Sequence, residues 1–99
     1  MKLSNIIAEI EFYTYEGMIQ VIYDPELSET KLAELIRALP GVTTVSLASD
    51  EGENRETMKV KLISQKDGLT AFQSLKSTAI KRYPPIRVVN IATNTIERK

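Results

Sequence analysis

The chain reads as an α+β domain of β-α-β-β-α-β order, with two helices on one face of a four-stranded antiparallel sheet and an extra N-terminal segment. Three observations predict this. Two segments carry apolar residues at helical spacing behind a capping residue, Ser28 and Asp67. Four other segments are short apolar or alternating runs bounded by Pro, Gly, Asn or Asp. Their order lets each helix cross over between strands of one sheet. Ninety-nine residues suit one domain.

The first segment supports two patterns. Leu3, Ile6, Ile7, Ile10 and Tyr13 fall on one helical stripe, with Ser4 as N-cap. Ala8, Ile10, Phe12 and Thr14 also alternate with Glu9, Glu11, Tyr13 and Tyr15, as in a strand. We expect a helix through Ile10 and then an extended segment, with Glu16-Gly17 able to close a hairpin. The domain then divides into an N-terminal extension (1–16), the plait (17–94) and a frayed polar tail (95–99).

Met18 to Tyr23 predicts the first strand, stopped by Asp24-Pro25. Ser28 caps the first helix and Glu29 suits its positive end. Leu27 and Leu32 take the staple positions, and Leu32, Leu35, Ile36 and Leu39 form its buried stripe. Pro40-Gly41 ends it. Val42–Ser49 and Glu56–Gln65 predict a hairpin with an acidic tip at 50–54. In its second strand Met58, Val60 and Leu62 oppose Lys59 and Lys61. Asp67 caps the second helix, whose inner stripe is Leu69, Phe72, Leu75 and Ala79. Pro84-Pro85 stops it, and Ile86–Thr93 is the last strand. Right-handed crossovers put the first and third strands at the centre.

The turn Leu39-Pro40-Gly41-Val42-Thr43-Thr44-Val45 is similar to the helix-to-strand turn of many ferredoxin-like domains. ACT domains, the regulatory domains of Lrp-type transcription factors and heavy-metal-associated domains share it. With the element order, the chain resembles a ferredoxin-like plait over Met18 to Thr93. The ACT and Lrp likeness implies a small-molecule sensor. Departures oppose the finer assignments. Heavy-metal-associated domains carry paired cysteines where this chain has Asp24-Pro25-Glu26, and no glycine lies between Asp24 and Leu39 to admit an amino acid as in ACT domains. The opening Met1-Lys2-Leu3-Ser4 is similar in style to small accessory proteins of tailed bacteriophages.

Composition narrows the chemistry. There is no Cys and no His, so thiolate catalysis, disulfides and the commonest general base and metal ligand are absent. Lys+Arg and Asp+Glu are both 13, which removes a global electrostatic attraction to nucleic acid or an anionic membrane and mildly favours self-association. No apolar run approaches the roughly 18 residues of a membrane span. Glu9 and Glu11 interrupt any signal-like stretch. The expected location is the cytoplasm, or a particle assembled there.

No phosphate loop, nucleophile elbow or Ser/Lys signature is present. Asp50, Glu51, Glu53 and Glu56 are clustered oxygen donors, but their spacing departs from an EF-hand loop, so a solvated tip is preferred to a metal site. Glu9 and Glu11 read as solvated charges rather than an acid–base pair. We therefore expect a non-enzyme with no cofactor and no metal. Lys59, Lys61 and Arg87 are candidate phosphate contacts, as Lys81 and Arg82 also are, but the third strand lacks the aromatics that stack bases in RNA-binding plaits.

Alternation fails on the sheet. Ile19, Val21 and Tyr23 oppose Met18 and Ile22, and Ile86 and Val88 oppose Val89 and Ile91, so both faces are apolar. Each such side chain gains about 1.5–3 kcal/mol on full burial, which makes a wet row of them adhesive. The candidate interaction surface is Ile6, Ile7, Ile10, Phe12, Ile19, Val21, Tyr23, Val89 and Ile91. Either the N-terminal segment or another copy of the chain would cover the sheet, and deleting residues 1–15 should expose it. The expected function is a non-catalytic interaction or assembly module whose partner is itself or a larger assembly. The alternatives are an ACT- or Lrp-type sensor and a weak RNA-binding plait.

Overall fold

Six elements make up the domain in the computed structural model, which describes residues 11–99. They are β1 (Tyr13–Tyr23), α1 (Glu29–Arg37), β2 (Val42–Gly52), β3 (Arg55–Ser64), α2 (Gly68–Arg82) and β4 (Ile86–Arg98). The sheet order is β2-β3-β1-β4, all antiparallel. This is the expected ferredoxin-like order with the expected central pair.

Local signals start both helices. The Ser28 hydroxyl accepts from Lys31 N at 3.1 Å, and Asp67 Oδ2 accepts from Thr70 N at 3.3 Å. Each cap satisfies a first-turn N–H that has no partner inside the helix. Leu32 and Ile36 turn inward from α1, and Ala71, Phe72, Leu75 and Ala79 from α2. They form one core cluster with Tyr15, Ile19, Val21 and Tyr23 of β1, Met58, Val60 and Leu62 of β3, and Ile86 and Val89 of β4. Leu69, expected on the inner stripe of α2, is exposed. Gly68 takes the inward place instead, where an added Cβ would stand 2.7 Å from Ile96 Cγ2.

β1 is longer than expected. Glu16-Gly17 is not a hairpin turn but part of the strand. Gly17 is there because Phe72 lies over it: an added Cβ would meet Phe72 Cζ at 3.0 Å and Ile96 Cγ1 at 3.1 Å. The tail 95–99 is likewise not frayed, since β4 runs to Arg98 and Lys99 N donates to Thr14 O at 2.7 Å. The Arg98 guanidinium sits 4.1 Å from the Tyr13 ring centroid, a cation–π contact at this end of the sheet.

The β1–β4 ladder is irregular at two places, between Glu16 and Met18 and between Ile22 and Tyr23. Near the first, the Thr95 hydroxyl accepts from Met18 N at 2.9 Å and donates to Ala92 O at 2.6 Å, so the displaced backbone groups keep partners. At the second, Arg87 is the extra residue.

Two turns need the left-handed region. Glu53 and Asn54 have φ of 49° and 63°, which makes the β2–β3 connection a two-residue turn of the primed kind, shorter than the expected loop. Gly41 has φ 83°, and a Cβ on it would lie 2.8 Å from Ile63 O. Gly41→Ala therefore combines a left-handed penalty with a backbone clash. We expect it to cost about 2 kcal/mol and lower Tm by about 10 °C in a thermal melt.

Candidate functional site

Strand alternation sorts the candidate residues onto two faces. Ile19, Val21, Tyr23 and Val89, assigned above to an interaction surface, lie in the core beneath the helices. Ile91 is partly buried against the same core. Ile19, Val21, Tyr23 and Val89 cannot meet a partner without unfolding. Both rows of β1 are apolar as expected, but the helices cover the row that was assigned to a partner. Phe12 is 64% exposed, while Ile6, Ile7 and Ile10 fall outside the described residues.

The open face takes the other row. Met18, Gln20 and Ile22 of β1 stand opposite Ala92, Asn90 and Val88 of β4. Two apolar pairs thus flank one amide pair. Met18, Ile22 and Ala92 are half-buried, and Val88 is 38% exposed. The other half of the face is mostly polar, with Thr44 paired to Lys61, Ser46 to Lys59 and Ser49 to Thr57, and Ile63 exposed at the end of the β3 row. The bulge at Arg87 explains why Ile86 and Val89, an odd number of positions apart, both face the core while Val88 does not.

Of the candidate phosphate contacts, Lys59 and Lys61 share the open face. Arg87 does not join them as a free charge, because its Nε pairs with Asp24 Oδ1. Among the described residues, the open rows of β1 and β3 hold no aromatic side chain, and Tyr23 turns into the core. A base-stacking platform is therefore missing from this part of the sheet.

A shallow groove of about 170 Å³ lies between the α1–β2 turn and α2, its lining apolar at Leu39, Leu62 and Leu75 and polar at Ser64, Lys66 and Ser74. It is smaller than the roughly 300 Å³ at which small-molecule sites begin. A wider depression of about 470 Å³ sits beside Met18 on the open face. Lys99 on its rim is engaged with Glu16 at 3.4 Å and Glu97 at 3.1 Å.

The hairpin acids divide between the faces. Glu51 turns to the open side, where it accepts from the Ser49 and Thr57 hydroxyls. Asp50 and Glu56 are cross-strand partners on the core side. They converge there with Glu29, the first residue of α1, one carboxylate oxygen from each lying within 4.8 Å of the others. Glu56 is only 2% exposed. Its Oε2 accepts from the Tyr23 hydroxyl at 3.3 Å, and its Oε1 has no partner. Burial, reinforced by the Asp50 and Glu29 charges, pushes the Glu56 carboxyl up to about 7. Burial and the adjoining Glu56 push the Tyr23 hydroxyl up to about 12. Sequence spacing finds Asp50 and Glu56 but groups them with Glu51 and Glu53. It misses Glu29, whose place at a helix start far earlier in the chain already has a sufficient local explanation.

No protein-family model, curated protein or solved structure matches the chain. Among the described residues, no helix is long and apolar enough to cross a membrane.

Proposed function

We propose that the protein is a non-catalytic interaction module that associates with a second copy of itself through the open face of its sheet. The observation that supports this is the apolar pair Met18–Ala92 and the apolar pair Ile22–Val88 on either side of Gln20–Asn90. Such an arrangement is self-complementary. A two-fold axis near the amides would set each apolar pair of one copy on an apolar pair of the other, with the amides able to bond across the axis. Zero formal charge leaves little long-range repulsion between copies. The polar half of the face, with Lys59 and Lys61, would form the wet rim.

The test is sedimentation equilibrium of the full chain between about 5 and 500 μM, a range that reads dissociation constants near 10⁻⁵ M. We expect a concentration-dependent dimer. Ile22→Lys with Val88→Glu should give a monomer whose circular dichroism and Tm match the parent, since neither side chain is in the core. A parent that stays monomeric throughout, or a variant that still dimerises, overturns the proposal. The truncation belongs after residue 10. A cut after residue 15 would also remove the β1 residues Tyr13–Tyr15 and the buried Tyr15 ring.

A further inference from the structure

We infer that Glu29, Asp50 and Glu56 form a binding site for a hard divalent cation, Ca²⁺ in preference to Mg²⁺. The site is built from three separate elements: the first residue of α1, the end of β2 and the start of β3. Two carboxylates directly opposite on neighbouring strands repel each other, and a third at the helix start adds to the repulsion. Among the described residues, no Lys or Arg forms an ion pair with any of the three.

The second observation is independent of the clustering. Glu56 Oε1 is buried and unpartnered. A buried carboxylate oxygen with no donor loses its hydration and gains nothing in return. Its twin, Oε2, is held by Tyr23, which fixes the side-chain orientation in the way outer hydrogen bonds orient metal ligands. Gly52 N donates to Asp50 Oδ1 at 2.8 Å and orients the second carboxylate. Glu29 and Asp50 are exposed, which leaves an entry path and room for water ligands.

Geometry favours Ca²⁺ over Mg²⁺. Three carboxylates from three separate elements, with water completing the shell, suit the flexible arrangement of about six to eight oxygens that Ca²⁺ takes, whereas Mg²⁺ demands a near-ideal octahedron. Oxygen-only ligands and the lack of His and Cys exclude a preference for softer ions.

The experiment is isothermal titration of the full chain, stripped with EDTA and exchanged into metal-free buffer at pH 7.5, with CaCl₂ and separately with MgCl₂. Thermal melts accompany each titration. We expect saturable Ca²⁺ binding and a higher Tm, with Mg²⁺ at least tenfold weaker. Glu56→Gln and, as a second variant, Asp50→Asn should each weaken Ca²⁺ binding at least tenfold. Glu51→Gln, on the other face, should leave it unchanged. No heat and no Tm shift up to about 10 mM CaCl₂, ten times the weakest ordinary affinity of a protein Ca²⁺ site, would overturn the site. Equal losses from Glu51→Gln would do the same. Tighter binding of Mg²⁺ than Ca²⁺ would overturn the choice of ion.

Discussion

In EDTA, the protein is expected to lose stability as pH rises from about 4.5 to about 7, by on the order of 3 kcal/mol, and Glu56→Gln should abolish most of that loss. The sign follows from proton uptake. Glu56 titrates near 7 when folded and near 4.5 when unfolded. Between those values the folded chain holds a proton that the unfolded chain has released. Raising the pH therefore favours unfolding through this window. The contribution is fully present below about 4.5 and gone above about 7. Asp50, Glu29 and Tyr23 are the titratable groups that face Glu56. Urea titrations at pH 5 and pH 8 measure the effect. A parent as stable at pH 8 as at pH 5, with Glu56→Gln giving no gain at pH 8, would show that the Glu56 carboxyl is not desolvated. Asp67 works in the opposite sense, since its hydrogen bonds from Thr70 hold its carboxyl below the usual range, and its contribution is lost only as pH falls through that lower value.

Phe72→Ala should be the most damaging single change, at about 4 kcal/mol. Phe72 is fully buried, and its ring end occupies the space a Cβ on Gly17 would need, 3.0 Å from Cζ. A domain of this size has a total stability on the order of 5–15 kcal/mol, so the variant should be partly unfolded at 37 °C. The contact with Gly17 gives a sharper test than the loss itself. Gly17→Ala should cost about 1–3 kcal/mol in the parent, because the new methyl has no room. In a Phe72→Leu background the ring end is gone and the same Ala should cost clearly less. A coupling of at least about 0.5 kcal/mol from urea denaturation of the four proteins is expected, and strict additivity would mean that the close approach is not what keeps position 17 a glycine.

The Gly41 turn and the two helix caps show where local sequence is sufficient. Ser28 and Asp67 act through backbone groups near them in the chain, and Gly41 through its own left-handed φ, so each is recognisable from spacing alone. So is the alternation of Met58, Val60 and Leu62 against Lys59 and Lys61, because only one of those rows is apolar. β1 lacks that asymmetry. Its two rows are both apolar, and which of them the helices cover is decided by partners elsewhere: Phe72 needs the gap at Gly17, and Ile19 and Val21 follow Gly17 on that row. β4 defeats a period-two pattern through one extra residue at Arg87. The carboxylate cluster is half legible for the same reason. Asp50 and Glu56 are close in the chain, whereas Glu29 and Tyr23 are brought to them by tertiary packing.

The end-to-end pairing of β1 with β4 has a consequence for how the domain is made. β1 is synthesised before both of its neighbours, β3 and β4. The β2–β3 hairpin can form as soon as Ser64 is available, since its turn closes over two residues. The Thr14–Lys99 hydrogen bond spans almost the whole described chain. Pairings of such separation carry the largest loop-closure cost and slow folding. On the ribosome, the edge of β1 that faces β4 therefore keeps its backbone N–H and C=O groups unpaired until the chain has emerged past residue 98, and that interval is when the nascent protein most needs protection from aggregation.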